Sequence, residues 1–392
     1  MHIPDGMLDI KTFTTLWAGG AGGIGYASWW IRKHLDGSKI VLMAVLAALI
    51  FGLQMLNFPI AAGTSGHFSG GAFAGILLGA WPACIVMSAV LVVQALFFGD
   101  GGITTLGANI VNMGIVAPLL GALVFELFQR IKDAYSLKII GGFVAAFFAV
   151  IASAAMVALE LWTSNHAQFF AALGAMVFWH AIIGVGEGVI TAGLVAYIAR
   201  VRPQMLGSRI LNSGNTNDAR QRIDAKSVLD CGDTDDVLFG SDTRNAPHGG
   251  DTNSALPGSG AGDISQEAGM LTQQSELVYD ELPDTSQQVA IRSKNSLKSI
   301  CVVLGIIAVL AAGVSFLAST HPDGLEFVYF ESGIGAGIEE DGFVLMAPLS
   351  DYLLPGVDNE ILATVGAGII GVILTGVILL CIGTLLKRRA SK

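Results

Sequence analysis

Long apolar runs alternate with short polar segments along most of the chain, and the runs have the lengths of membrane-spanning helices. A spanning helix needs about 20 apolar residues. We divide one long run at Trp81-Pro82, because proline disrupts a helix interior, which leaves the third stretch short for a full span. The pattern predicts an all-α polytopic membrane protein with nine spans at roughly 12–31, 39–57, 68–81, 82–98, 104–129, 139–161, 173–199, 299–318 and 361–386.

The composition agrees with this pattern. Hydrophobic residues make up 53% of the chain and charged residues only 13%, whereas a soluble protein has about 25% charged residues. The 50 glycines suit helices that pack closely within a membrane. The four cysteines are scattered and form no CxxC pair, so neither a disulfide framework nor a thiolate metal site is indicated.

The loops between the spans carry a consistent charge signal. Lysine and arginine collect on the cytoplasmic side of membrane proteins. With nine spans and an outside N-terminus, every basic cluster falls in the cytoplasm, and merging the two stretches around Trp81-Pro82 would invert all later loops. We therefore expect an outside N-terminus and a cytoplasmic C-terminus.

Residues 204–296 interrupt the apolar pattern. They hold 14 acidic against 7 basic residues, a net charge of -7 within the chain's -10, and too little apolar surface to fold. They predict a disordered acidic cytoplasmic linker, and no basic patch there suits nucleic acid. The linker joins a seven-helix unit at 1–203 to a two-helix unit at 297–392, whose outer loop covers 319–360.

The first seven residues, Met1 to Met7, carry candidate metal chemistry. No basic region leads into an apolar core, so this start does not have the pattern of a cleavable signal peptide, and we expect Met1 to be retained. Its amine and the amide and imidazole of His2 are three nitrogens that can chelate one divalent ion in two fused rings. Planar nitrogen coordination suits Ni(II) or Cu(II). An ordinary N-terminal tail is the alternative.

A second histidine lies in the loop on the same predicted side of the membrane. His67 follows Gly63-Thr64-Ser65-Gly66, whose small residues permit close backbone approach, and Ser65 is a candidate to support the metal donors. If the N-terminal tail folds inward, the His67 imidazole supplies a fourth nitrogen for a square plane. A structural or merely exposed histidine is the alternative.

Polar side chains at the outer ends of two predicted helices are candidates to support these donors. Asp100, Thr104 and Asn109 surround the start of the fifth span, and His180 and Glu187 share one face of the seventh. Polar groups within a membrane tend to mark function or interhelical hydrogen bonds, and metal-bound histidines donate their second ring nitrogen to such groups. Helix packing alone is the alternative.

Four motifs then occur in the order of a known family: Met-His-Ile-Pro-Asp-Gly at the start, Gly-Thr-Ser-Gly-His at 63–67, Ala-Leu-Phe-Phe-Gly-Asp-Gly-Gly at 95–102, and His180 with Glu187. Residues 1–203 resemble the substrate-binding membrane component of energy-coupling factor transporters for nickel and cobalt. The Pro-Asp-Gly-Leu-Glu stretch with its flanking helices, 297–392, resembles the small accessory subunit of the nickel systems. The long 204–296 linker departs from that pattern.

The resemblance implies an ion, a ligand set and partners. The transported ion is Ni(II), with Co(II) as the alternative, and it is held by the amine of Met1, the amide and imidazole of His2 and the imidazole of His67. A transmembrane coupling protein and cytosolic ATPases would supply energy in the plasma membrane of a prokaryote. The chain itself has no GxxxxGK[ST] phosphate loop and is expected not to be an enzyme.

Two other functions are considered. In a secondary metal transporter, intramembrane carboxylates would carry coupling ions, and only Glu126, Glu160 and Glu187 lie near helices. A metal sensor signalling through the acidic linker has no specific support. Within the importer class, the Pro-Asp-Gly-Leu-Glu unit favours nickel over cobalt.

Overall fold

The computed structural model describes residues 1–34, 37–60, 62–206, 285–334 and 347–390, and these are mostly helical. A two-stranded antiparallel pair, β1 (Phe58–Pro59) with β2 (Ser65–Gly66), interrupts the helices. The helices are α1 (Ile10–His34), α2 (Gly37–Gln54), α3 (Gly71–Leu78), α4 (Ala80–Val93), α5 (Leu106–Asn109), α6 (Ala117–Ile131), α7 (Tyr135–Thr163), α8 (Phe169–Val201), α9 (Thr285–Gly313), α10 (Gly324–Glu326) and α11 (Glu360–Ala390).

Three short π-helical turns adjoin these helices. Gln94–Phe98 extends α4, Ile110–Val116 joins α5 to α6, and Phe327–Glu331 follows α10. Such turns shift the helical register and are frequent at functional sites. The first two turns lie on either side of the 99–109 segment, which contacts the N-terminus.

Within the described residues, five helical stretches are long and apolar enough to cross a membrane: Ala80–Phe98, Leu106–Ile131, Tyr135–Thr163, Phe169–Val201 and Glu360–Lys387. Two further apolar helices, Lys39–Gln54 and Lys298–Gly313, are shorter. Helix α1 is rich in glycine and has charged ends, which lowers its hydropathy. The chain is therefore a mostly helical, multi-pass membrane protein. Within the described residues, five of the nine predicted spans are long and apolar enough to cross a membrane.

The break in the long apolar run lies at Gly79, and the division predicted at Trp81-Pro82 was wrong by two residues. Gly79 has φ 86° and ψ 163°, a conformation that only glycine adopts without strain. Pro82 lies in the first turn of α4, where its missing N–H costs no hydrogen bond. The chain therefore turns on glycine rather than on proline.

Helix α3 is too short to cross a membrane, since its 8 residues extend about 12 Å. It packs against the π-helical turn Ile110–Val116 and the start of α6. A Cβ on Gly71 would lie 3.1 Å from the Met113 carbonyl oxygen, and a Cβ on Gly75 only 2.2 Å from that of Pro118. The polar loop before α3, which holds His67, is consequently drawn into the bundle.

The C-terminal helices share the hydrophobic core of the first part. Leu304 and Ala308 of α9, with Ala367 of α11, are buried in the same cluster as Phe51 of α2. A Cβ on Gly371 would lie 2.1 Å from the Phe51 ring, and a Cβ on Gly52 would lie 2.8 Å from the Ala308 carbonyl oxygen. The described residues within 1–206 and 296–390 accordingly form one compact unit.

The structure differs from the prediction at the C-terminal end of the linker predicted at 204–296. Helix α9 begins at Thr285, so residues 285–296 are helical although their composition predicts disorder. An existing helix is extended more easily than a new one is nucleated, and the apolar half of α9 provides that nucleus. Residues 207–284 of the predicted linker lie outside the described part of the chain.

Candidate metal site

The N-terminal segment is folded into the protein. Met1, His2 and Met7 are buried, and Ile3 has no exposed surface. The Ile3 amide donates to Asn109 Oδ1 at 2.8 Å, and the Ile3 carbonyl accepts from Asn109 Nδ2 at 3.1 Å. The same carbonyl accepts from the Thr105 hydroxyl at 2.5 Å. Three polar groups therefore fix the backbone next to the two residues that carry the predicted donors.

Asp5 makes the second attachment of this segment. Its Oδ1 accepts from the Thr104 amide at 2.7 Å and its Oδ2 from the Ile103 amide at 3.1 Å. The Gly102 amide donates to the Ile3 carbonyl at 2.9 Å, and a Cβ on Gly102 would lie 2.4 Å from the Asp5 backbone nitrogen. The 100–109 segment thus holds the N-terminus by its backbone, and glycine is required at the closest approach.

The Met1 amine and the imidazole rings of His2 and His67 lie close together. The Met1 amine lies 3.1 Å from Nε2 of His67, and the rings of His2 and His67 stack with centroids 5.3 Å apart and an interplanar angle of 18°. Met1 and His67 line a cavity with Ser69, His180, Glu187 and Asp323. Within the described residues, no group of three or more His, Cys, Asp or Glu side chains is placed to hold a metal ion.

Burial keeps both imidazoles uncharged. The pKa of His67 is lowered to about 3, first by burial and then by the positive Met1 amine beside it. Burial also lowers the pKa of His2, against the opposing effect of Asp100. A metal ion binds the neutral imidazole, so both rings are in the protonation state that coordination requires at neutral pH.

Asp100 contacts His2 at Nδ1, the nitrogen that a chelate through the His2 amide would use, and not at the second ring nitrogen that the sequence-based expectation assigned to a supporting residue. Nδ1 of His2 lies 3.1 Å from Asp100 Oδ1, and the Tyr352 hydroxyl donates to Asp100 Oδ2 at 2.5 Å. Nε2 of His2 is buried without a hydrogen-bond partner among the described residues. The orientation of the His2 ring therefore depends on Asp100, which is held in turn by the C-terminal part of the chain.

Glu187 holds the loop that carries His67. Its Oε1 accepts from the Ser69 hydroxyl at 2.7 Å and the Gly70 amide at 3.1 Å, and its Oε2 accepts from the Ser69 amide at 3.0 Å. Gly70 has φ 76° and turns the chain into α3. Glu187 therefore acts on His67 through the backbone two and three residues further along.

His180 lines the same cavity without contacting a donor. Its Nδ1 donates to the Met176 carbonyl at 2.8 Å, and its Nε2 has no partner within the described part of the chain. Ser65 points elsewhere, because its hydroxyl donates to the His321 carbonyl at 2.7 Å. Thr104 contacts Asp5 and Asn109 contacts Ile3, so neither of these two supports an imidazole directly.

Sequence reasoning did not find Asp323, which forms an ion pair with the Met1 amine. Burial by itself would raise the pKa of Asp323, yet the amine beside it holds that pKa below its usual range. One signal was available, since Asp323 and Glu326 have the spacing of a helix capping box. That pattern marks a helix start and does not identify what the carboxylate contacts.

Two family models match the chain. The model described as the cobalt uptake substrate-specific transmembrane region matches residues 2–205, and the PDGLE domain model matches residues 298–388. A crystal structure of a truncated transition metal transporter is 32% identical, with a TM-score of 0.47, and the match covers 51% of this chain and 99% of that one.

Curated relatives include transport proteins named for either metal. A putative metal transport protein of Haloquadratum walsbyi is 42% identical over 224 residues, which cover 56% of this chain and 100% of the relative. The putative fused nickel transport protein NikMN of Archaeoglobus fulgidus is 40% identical over 53% of this chain and 68% of its own length. The cobalt transport protein CbiM of Geobacter sulfurreducens is 31% identical over 53% of this chain and 61% of its own length. The chain therefore belongs to the CbiM family of substrate-specific transmembrane components of metal transporters, and it carries a PDGLE domain fused to that component.

Proposed function

We propose that this chain captures Ni(II) for an ATP-driven energy-coupling factor importer, through the amine of Met1, the amide and imidazole of His2 and the imidazole of His67. The observation that carries the proposal is the distance of 3.1 Å between the Met1 amine and His67 Nε2. The two nitrogens are 66 positions apart in sequence and are buried together. An ordinary tail would leave the amine in water.

The chelate follows from the connectivity of the first two residues. The amine and the next amide nitrogen close a five-membered ring on an ion, and the same amide with His2 Nδ1 closes a six-membered ring. The fourth position of such a plane would be adjacent to the amine, and His67 Nε2 lies 3.1 Å from that amine. Asp100 contacts His2 Nδ1 at 3.1 Å, so an ion bound at Nδ1 would have to displace that contact.

Several observations favour nickel over the cobalt alternative. Four nitrogen ligands in one plane suit Ni(II) better than metal ions that prefer softer ligands or a higher coordination number. The chain carries a PDGLE domain, and relatives from Archaeoglobus fulgidus and Rhodobacter capsulatus that match its first part are named fused nickel transport proteins. Co(II) uptake by the same ligands is the alternative, since other relatives are named for cobalt.

The proposed architecture is a seven-helix metal-binding unit at 1–203 and a two-helix unit at 297–392, joined by a cytoplasmic linker. Basic residues lie at the ends of the helices that lead away from the site: Arg32 and Lys33 in α1, Arg130 in α6 and Arg200 in α8. By the positive-inside rule, the metal site faces outward. A transmembrane coupling protein and separate ATPase subunits would then move the captured ion inward.

A secondary transporter receives less support from the structure. It would need carboxylates free to load and release coupling ions. Glu187 accepts three hydrogen bonds, Glu126 pairs with Arg130 at 2.9 Å, and Glu160 accepts from Asn112 at 2.9 Å. Each of the three carboxylates has a structural contact that cation exchange would break.

Isothermal titration of the purified chain with Ni(II) and Co(II) tests the proposal. We expect tight binding by the native protein and loss of tight binding when any residue precedes Met1, because the amine becomes an amide that cannot bind the ion in the same way. Equal affinity in the extended protein would refute the ligand set. The same titration decides between the two metals.

A further inference from the structure

The Met1 amine is a buried positive charge that needs a partner. Met1 is only 6% exposed, and an unpaired charge at such burial is strongly unfavourable. The ion pair with Asp323 Oδ2 supplies that partner, and among the described residues no other carboxylate pairs with this amine. The partner belongs to the PDGLE domain and not to the unit that carries the predicted metal donors.

The two carboxylate oxygens of Asp323 have different partners. Its Oδ1 accepts from the amides of Leu325 and Glu326 at 2.8 and 2.9 Å and so caps α10. The Glu326 carboxylate accepts from the Asp323 amide at 3.0 Å, which completes the capping box. The carboxylate is consequently held by its own helix start, and only Oδ2 is directed at the amine.

The backbone around Asp323 is itself attached to the metal-binding unit. The Ser65 amide donates to the Pro322 carbonyl at 2.8 Å, and the Ser65 hydroxyl donates to the His321 carbonyl at 2.7 Å. A Cβ on Gly324 would lie 2.8 Å from Ile183, so the segment packs closely on α8. The 321–324 segment thus lies between the His67 loop and α8, at the edge of the donor cavity.

We propose that Asp323 is a positioning residue through which the PDGLE domain holds the Met1 amine beside His67 before an ion is bound. In the absence of metal, the ion pair is what makes burial of the charged amine favourable. When Ni(II) binds the amine lone pair, the amine proton leaves to water, and the bond to the ion replaces the ion pair with Asp323. The inference rests on the proposed function only in treating Met1 as a metal donor.

Chemical labelling of the metal-free protein tests this role directly. The full chain, stripped of metal with a chelator, is treated with an amine-reactive reagent, and mass spectrometry compares modification of the Met1 amine with that of the exposed Lys11 in the same molecule. We expect the Met1-to-Lys11 labelling ratio to rise about 10–100-fold in Asp323→Asn, the range expected for loss of a charge-assisted interaction. The asparagine carbonyl oxygen still caps α10, so the helix start is retained.

Tyr329→Phe is the matched control. The Tyr329 hydroxyl is buried in the same domain and has no hydrogen-bond partner among the described residues, so its removal should leave the labelling ratio unchanged. Ser65→Ala serves as a second variant if Asp323→Asn does not fold. It keeps the Asp323 charge and removes one anchor of its segment, so the ratio should rise by a smaller factor.

Two results would overturn the role of Asp323. One is a labelling ratio in Asp323→Asn equal to that of the unmodified protein, and the other is an equal rise in Tyr329→Phe. Because no metal is present, these outcomes are independent of the titration that tests the metal ligands. A protein that bound no Ni(II) could still show a protected amine, and a protein that bound Ni(II) could still show an unprotected one.

Discussion

The Met1 amine and His67 Nε2 lie 3.1 Å apart, although Met1 is the first residue and His67 belongs to the polar loop that precedes α3. Each position is held by different residues. The Ile3 backbone is fixed by Asn109 and Gly102, and the His67 loop is fixed by Glu187. The two attachments are independent, so their contributions to metal binding can be tested separately.

Replacing His67 by glutamine removes one of the four proposed nitrogens. We expect His67→Gln to lower Ni(II) affinity by more than the 10–100-fold typical of an outer-sphere change, measured by isothermal titration. His34→Gln is the control, because His34 is exposed and contacts the Trp30 carbonyl at the far end of α1. Similar affinities for the two variants would remove His67 from the ligand set.

Proton release should report which groups lose a proton when the ion binds. His67 is already neutral, since its pKa is lowered to about 3, so we expect it to contribute no proton when an ion binds at neutral pH. Titrations in buffers of different ionisation enthalpy count the protons released per ion. His67→Gln should weaken binding and leave the proton count unchanged, and a lower count in this variant would contradict the assignment.

The lowered pKa of His67 also gives the stability of the closed site a pH dependence. An unfolded histidine takes up a proton near pH 6.5, whereas the folded His67 does so near pH 3. Between these values the unfolded state binds more protons, so the free energy of unfolding falls as pH falls. Thermal melts of the metal-free protein in detergent should show this slope, and it should be smaller in His67→Gln.

Part of the arrangement around the candidate site could be predicted from the sequence. The motifs and the family resemblance singled out Met1, His2 and His67, and these three residues lie close together in the fold, whereas their role as metal ligands stays a prediction. Thr104 and Asn109 were expected to support imidazoles, yet they bind Asp5 and the Ile3 backbone. A polar residue near a site does not reveal from sequence which partner it will meet.

Long-range contacts account for most of what the sequence did not predict. Asp323 and Tyr352 reach the site across more than 250 positions, and no periodicity encodes such a distance. The break at Gly79 was misplaced for a local reason, because proline is tolerated in the first turn of a helix and the turn itself required a positive φ. Helix content was predictable from apolar length, whereas the partial insertion of α3 depended on its packing against α6.

Glu187→Gln tests the attachment of the His67 loop. In this variant, the side-chain NH2 of the glutamine would face the backbone N–H of Ser69 or Gly70, which now donates to the carboxylate. Two donors would then face each other with no acceptor between them. We expect Ni(II) affinity to fall about 10–100-fold. Glu331→Gln, at an exposed position, makes the same charge change and should bind as the unmodified protein does; a matching loss there would point to net charge instead.

Gly102→Ala tests the attachment of the N-terminus. The added methyl group would lie 2.4 Å from both the Asp5 nitrogen and its Oδ1, so the N-terminal segment has to shift. Overpacking of this kind costs about 1–3 kcal/mol, which we expect as a lower melting temperature together with weaker Ni(II) binding. Gly22→Ala adds the same group where nothing lies within 4 Å; if it were equally harmful, the close approach at Gly102 would not be the cause.

Asp323 lies on the same polypeptide as the proposed metal donors, so the two are always present in a one-to-one ratio. Every copy of the metal-binding unit is made with one PDGLE domain, so dilution or unequal synthesis cannot separate them. Tethering typically gives an effective concentration in the millimolar range. The contact between Asp323 and the Met1 amine therefore forms within one chain and does not depend on the capture of a separate subunit.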